Sequence, residues 1–245
     1  MRTKIFSALL IVVVLLNILG CKKTTESEIS FLDQTENLVG HWSFSGNAND
    51  ESGRGNNGII TEAILINDRF GDTNSAYYFD GIDDYITIKE VDGFDEFDDP
   101  ETEFTISAWC KPDSGASGMI YSNTTEDGWH DLRFHGFKSS MGIRGATWAG
   151  TVLTANESAT ENEWHHIVCT FNNPTMTIFV DGQNQGSKAF EDEILSHGGW
   201  GNGGIRIGVY YLLDGYYFEG GIDDVRIYNC VLIETEVLEL YNEGI

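Results

Sequence analysis

The residues with the clearest chemical capacity are paired aspartates that occur twice in similar surroundings. Phe79-Asp80-Gly81-Ile82-Asp83-Asp84-Tyr85-Ile86-Thr87-Ile88 is echoed by Phe218-Glu219-Gly220-Gly221-Ile222-Asp223-Asp224-Val225-Arg226-Ile227. Each copy sets carboxylates beside a glycine turn, and carboxylate oxygens at a strand end suit a hard cation. The stretch Asn47 to Asn57 concentrates further oxygen donors, with Asp50 its best ligand. The competing use of such aspartates is to cap turns by accepting neighbouring N–H groups. Zinc is disfavoured, because the histidines are scattered and His165-His166 would point to opposite faces of one strand.

A second set of residues suits a polyhydroxylated ligand. Leu132 and Phe134 alternate with Asp131, Arg133 and His135, and Met141 and Ile143 precede Arg144. If the apolar members face a core, the charged ones face outward together, with Trp129 and Trp148 close in sequence. Aromatic plates stack on the CH faces of a sugar ring while carboxylate and guanidinium bind its hydroxyls. Trp200, inside the glycine-rich run Gly198 to Gly204, is a further candidate, and Tyr210, Tyr211, Tyr216 and Tyr217 follow it. The alternative is ordinary sheet surface with the tryptophans folded back into the core.

Catalysis has less support. A retaining glycosidase needs two carboxylates about 5 Å apart, and adjacent aspartates on opposite faces of a strand cannot form that pair. Glu101 and Glu103 follow Pro100 in an acidic loop, and Glu191-Asp192-Glu193 reads as a surface turn. No Ser-His-Asp set announces itself. The expectation is a protein that is not an enzyme, with glycosidase activity from residues on separate strands left open.

The elements that must position these groups are short strands. Phe104, Ile106, Ala108 and Cys110 share one face of an alternating segment, and Thr105, Ser107 and Trp109 share the other. Ile167, Cys169 and Phe171 form another stripe, as do Met176, Ile178 and Val180 before the turn Asp181-Gly182. Glycine, asparagine and aspartate turns separate such segments, and no βαβ rhythm is present. This predicts an all-β, two-sheet antiparallel sandwich closed by its first and last elements. One window, Glu234 to Asn242, is helical in period through Val237, Leu238 and Tyr241, and is expected to pack on the sandwich edge.

The first twenty residues stand apart. Arg2 and Lys4 precede an apolar run from Ile5 to Leu16, too short to span a bilayer and suited to a secretory signal. Its end, Ile18-Leu19-Gly20-Cys21, resembles the lipobox of bacterial lipoproteins, which implies cleavage before Cys21 and lipid on its thiol. Residues 21–36 are polar and read as a flexible tether, leaving 37–245 as one domain. The formal net charge of −25 repels phosphate backbones, so nucleic acid is a poor partner. Cys110, Cys169 and Cys230 are too few for a disulfide framework. Cys110 and Cys169 are expected as buried free thiols, with a bond between them as the alternative.

Longer runs carry a family resemblance. Leu38-Val39-Gly40-His41-Trp42-Ser43-Phe44, then Gly46 to Gly53, Asp68-Arg69-Phe70-Gly71 and Ala76 to Ile86, are similar to the opening of a laminin G-like domain of the concanavalin A-like lectin/glucanase superfamily. Phe104 to Trp109, Trp164-His165-His166-Ile167-Val168, Phe179-Val180-Asp181-Gly182 and Gly221 to Asn229 continue it in the family's order. The resemblance implies a jelly roll with one curved face, short C-terminal helix included, in which Trp42, Trp109 and Trp164 serve the architecture. It also implies a structural calcium near the termini, held by Asp50 with Asp223 or Asp224, and with Asp83 and Asp84 as second choices. No alternating strand segment here carries the glucanase relatives' Glu-x-Asp-x-x-Glu; its spacing occurs at Glu96 to Glu101, in the acidic loop that holds Pro100. The expected function is a lipid-anchored, extracytoplasmic lectin-like module that binds glycan without turnover, on the bacterial cell envelope. An outer-membrane lipoprotein facing periplasm or exterior is the expected location. The alternative is an adhesive or structural module whose partner is a cell-surface protein.

Overall fold

The computed structural model describes residues 37–89, 103–124, 129–135, 138–144, 150–157, 159–189, 204–210 and 215–243, with the backbone alone at 124, 129–135, 138, 141–144 and 150. The leader 1–20, Cys21 and the tether, together with Glu101, Glu191-Asp192-Glu193, Trp148 and Trp200, lie outside the described residues.

The chain order is β1 (Leu38–Trp42), β2 (Gly58–Thr61), β3 (Ile64–Ile66), β4 (Ala76–Asp80), β5 (Tyr85–Ile88), β6 (Glu103–Pro112), β7 (Ser117–Thr124) and β8 (Trp129–His135). There follow β9 (Lys138–Arg144), β10 (Gly150–Thr154), β11 (His165–Asn172), β12 (Thr175–Val180), β13 (Gln183–Ala189), β14 (Ile205–Ile207), β15 (Glu219–Tyr228) and α1 (Glu234–Glu243). One sheet runs β13-β12-β11-β6-β15-β4-β3, with β1 also paired to β15. The other runs β10-β9-β8-β7-β14-β5-β2. Neighbours pair antiparallel, as in β11 with β6 and β8 with β9. The all-β antiparallel sandwich expected from the alternation is the fold observed, and pairing of β1 with β15 joins its first and last strands.

Between the sheets, Trp42, Phe79, Ile86, Phe171, Ile207 and Ile227 are all fully buried in one core. Each such side chain contributes about 1.5–3 kcal/mol relative to exposure. On β6 the alternation holds: Phe104, Ile106, Ala108 and Cys110 join that core. The opposite parity is buried as well. Val168, Phe179 and Tyr228 form a second cluster with Leu38, Leu232, Val237 and Leu240. Helix α1 therefore packs across the outer face of the β1-containing sheet, and not on the sandwich edge as the sequence predicted. Its start is fixed by Ile233, whose N–H donates to Glu236 Oε2 at 2.9 Å. Glu234 and Glu236 also suit the positive end of the helix dipole.

The two aspartate phrases fold differently. In the first copy the segment from Gly81 to Asp84 is a turn that carries the chain from β4 to β5, and so from one sheet to the other. In the second copy every residue after Phe218 lies in the single strand β15, which runs from Glu219 to Tyr228. The glycines lie inside that strand, where Gly220 (φ +140°) brings its backbone so close to Lys111 and Pro112 that a Cβ would collide. A register shift falls between Asp223 and Arg226, and Asp224 has φ +46°. This bulge bends the strand and re-aims its side chains.

Cys110 and Cys169 are buried free thiols, as expected. In the pairing of β6 with β11, Cys110 stands opposite His165 and Cys169 opposite Ile106. Burial pushes the Cys110 thiol well above its usual range. Cys230 is buried with Leu38 and Val168 in the second cluster.

Candidate functional site

The bulge at Asp223-Asp224 lets both carboxylates reach one guanidinium. Arg69 Nη1 donates to Asp223 Oδ2, and Arg69 Nη2 donates to Asp224 Oδ2 at 3.1 Å. Arg226 grips Asp224 with both Nε (2.9 Å) and Nη2 (3.1 Å), and His41 Nε2 lies 2.9 Å from Asp224 Oδ1. Burial alone would raise the Asp224 carboxyl, but the His41 hydrogen bond and the Arg226 charge outweigh it and hold the group well below the usual carboxylate range. For Asp223 burial wins against Arg69 and pushes the carboxyl up, to about 7. The Arg69 guanidinium also lies 4.6 Å from the Phe70 ring and 4.9 Å from the Trp109 ring. Trp109 in turn stacks on His166 at 5.1 Å and on Tyr241 of α1 at 5.7 Å. The column ties the helix to the ion pairs.

Asp50 is equally engaged. Its Oδ1 accepts from the N–H groups of His41 (3.0 Å) and Ser52 (2.9 Å), and its Oδ2 from Ser52 Oγ (2.8 Å) and Asn56 N–H (2.9 Å). Burial raises its pKa and is outweighed by those donors, which lower it overall. Guanidinium, imidazole and N–H donors thus meet the oxygens of Asp50, Asp223 and Asp224, the calcium ligands that the resemblance implies.

The other aspartates differ. Asp80, Asp83 and Asp84 bring one carboxylate oxygen each within 4.8 Å of one another, the single such group of three among the described residues. Asp80 Oδ1 accepts from Ile82 N–H at 2.8 Å, and Asp84 Oδ2 accepts from Asp80 N–H at 2.8 Å. Asp84 is buried and its pKa is raised by that burial, and further by the charges of Asp80, Asp83 and Glu62, against the Asp80 hydrogen bond. Three hard oxygens this close could contribute to a calcium site, with backbone carbonyls and water needed to complete its six to eight ligands. Asp80 was not among the sequence candidates; its spacing of three and four from Asp83 and Asp84 was the available signal.

For the ligand candidates the backbone register is informative. Trp129 stands opposite Arg144, Asp131 opposite Gly142, Arg133 opposite Ser140 and His135 opposite Lys138. Trp129, Asp131, Arg133, His135 and Arg144 thus share one alternation of two adjacent strands. Leu132, on the other alternation, is paired with Tyr121, a core residue. The side chains of these five, and the whole of Trp148 and Trp200, lie outside the described residues.

A Ser–His contact does occur: Ser107 Oγ lies 2.8 Å from His166 Nε2. Both residues are buried, His166 Nδ1 meets no hydrogen-bond partner, and burial drives the ring's pKa down to about 3. Without a carboxylate on Nδ1, and beneath Tyr241, this pair is packing and not a nucleophile with its base. Its neighbour His165 takes a separate partner, Asp181 Oδ2 at 2.8 Å from Nδ1.

Comparison with known proteins agrees with this architecture. The binding domain of Paraclostridial Mosquitocidal Protein 1 is similar at TM-score 0.67 and 19% identity, over 86% of this chain and 53% of that one. The receptor binding domain of botulinum neurotoxin mosaic serotype C/D is similar at TM-score 0.68 and 15% identity, over 85% and 51%. This chain thus spans about half the length of those two structures. Domain 4 of AbnA, an extracellular arabinanase from Geobacillus stearothermophilus, in complex with arabinotriose, is similar at TM-score 0.64 and 18% identity, over 84% of this chain and 98% of that one. At such identities the likeness is one of fold. No curated protein matches the sequence. The profile described as Concanavalin A-like lectin/glucanases superfamily matches residues 80–238, and the chain belongs to that family, Laminin_G_3.

Proposed function

We propose that the protein is a non-catalytic glycan-binding module displayed on the bacterial cell envelope. The observation that carries this reading is the register of β8 against β9, which aligns Trp129, Asp131, Arg133, His135 and Arg144. These strands belong to the sheet that does not carry α1 and the Trp109–Tyr241 stack. Rings and charged hydrogen-bonding groups at that alternation have the chemistry a saccharide requires. Trp148 and Trp200 are proposed to border the same face. A related fold in complex with arabinotriose supports a sugar as ligand.

The test is a glycan array probed in calcium and in chelator. Binding is expected, and Trp129→Ala, Trp148→Ala and Arg133→Ala each reduce it at unchanged melting temperature. Silence on every glycan contradicts the reading and favours a protein partner, for which similarity to toxin receptor-binding domains is the supporting observation. Incubation with polysaccharides is expected to release no new reducing ends.

Two further elements belong to the proposal. A structural calcium at Asp80, Asp83 and Asp84 would stiffen the β4–β5 turn, and chelator should lower the melting temperature. Lipid on Cys21 would tether residues 37–245 to the membrane. The mass of the N-terminal peptide decides: a diacylglyceryl adduct supports the anchor, and an unlipidated Cys21 contradicts it.

A further inference from the structure

Between β14 and β15, the described residues 208–210 and 215–218 lie beside β7. Gly208 N–H donates to Ile120 O at 3.1 Å, Phe218 N–H donates to Gly208 O at 2.9 Å, and Met119 N–H donates to Tyr216 O at 3.0 Å. Ser122 Oγ adds a bond to Val209 O at 2.8 Å. At Gly118, with φ +147°, a Cβ would come within 2.6 Å of Phe218 Cα, so only glycine permits this approach. Residues 208–209 and 216–218 are thus fixed beside the strand by these contacts.

What this fixed segment presents is an aromatic ring in water. Tyr216 is 67% exposed, far more than a packing tyrosine would be. Its φ of +57° places a bulky side chain in the left-handed region, where such residues are outliers. Its ring is held edge-on by Tyr210, with centroids 5.9 Å apart and planes at 72°. An exposed ring neither stabilises the core nor relieves its own backbone strain, and strain of this kind clusters where a ligand is held.

The location agrees. Met119, which holds Tyr216, pairs with Arg133 in the β7–β8 ladder. The Tyr216 segment occupies the lane beside β7, two strand spacings from β8, or about 10 Å. We infer that Tyr216, propped by Tyr210, is an outlying stacking platform for a second sugar ring of an oligosaccharide whose first ring occupies the β8–β9 strip. This rests on the glycan-binding reading and extends it: the ligand is a chain of several sugars, and Tyr216 supplies CH–π contact through its ring face, not its hydroxyl.

The experiment is a glycan array carrying oligosaccharides of one to six units, applied to the whole protein and to Tyr216→Ala, Tyr216→Phe and Tyr216→Gly. Tyr216→Ala should weaken binding of chains of three or more units by about ten-fold and leave single sugars unchanged. Tyr216→Phe should bind as the parent does. Tyr216→Gly should lose the same binding without a fall in melting temperature, since glycine accepts the left-handed backbone. Equal binding of long chains by Tyr216→Ala and the parent overturns the platform and leaves the β8–β9 site standing. A fall in melting temperature for Tyr216→Gly, with binding intact, makes the ring structural and overturns it too. Absence of binding by the parent to every glycan removes both together.

Discussion

The two aspartate phrases begin with nearly the same residues and meet different partners. In the first, Asp80, Asp83 and Asp84 crowd a turn between sheets, and the Asp84 carboxyl is raised by burial and by its neighbours' charge. In the second, a bulge inside β15 turns Asp223 and Asp224 toward Arg69, Arg226 and His41. The difference teaches that a pair of aspartates has no fixed meaning. Whether its charges crowd one another in a turn or meet guanidinium and imidazole depends on what the topology sets against it.

Substitutions at matching positions should separate the two most sharply. Asp224→Ala leaves Arg69, Arg226 and His41 around a lost charge, and should cost about 3–5 kcal/mol, the range for breaking a buried ion pair. Denaturant unfolding measures it, and a loss under 1 kcal/mol would break the contrast. Calcium comes next. At a concentration a hundred times its dissociation constant it should stabilise the protein by about 2.7 kcal/mol. That gain should vanish in Asp83→Asn and persist in Asp223→Asn, as read by thermal unfolding with and without chelator.

The smallest effect has the opposite sign. In chelator, Asp84→Asn removes like-charge repulsion while keeping an acceptor for Asp80 N–H, and should stabilise by about 0.5–1 kcal/mol. In calcium the same change should destabilise. The pH dependences also diverge. The depressed Asp224 carboxyl contributes stability present above the unfolded carboxylate range and lost as pH falls below it. The raised Asp84 carboxyl contributes stability present at low pH and lost as pH rises through its folded value. Asp223, pushed up to about 7, adds a slope of the same sign as Asp84, so calcium-free Asp84→Asn should remove only the Asp84 share of it and leave the Asp224 slope.

Much of the scaffold was legible because β6, β11 and β12 alternate, and the helical period at Val237 and Tyr241 marks α1. The helix's seat was not. Val168 and Phe179 are apolar on the parity opposite the core stripe, and that second stripe was the sign that a sheet face, not an edge, would be covered. Asp224 and Arg226, two apart, were readable as strand neighbours on one face. Arg69 was not readable, since it meets Asp223 from 154 residues away and only through a bulge that no local pattern announces. The β8–β9 register follows the alternation at Leu132, whereas the hold of β7 on Tyr216 arises from backbone approach at Gly118, which carries no side-chain signal.

The central claim is that ligand meets the sheet face opposite α1. Amide hydrogen exchange of the whole protein, with and without a glycan selected on the array, tests it most directly. The account predicts slowed exchange in 129–135 and 138–144, with 215–218 joining for longer chains. Protection confined to 234–243 or to the β2–β3 edge at 58–66 would contradict it.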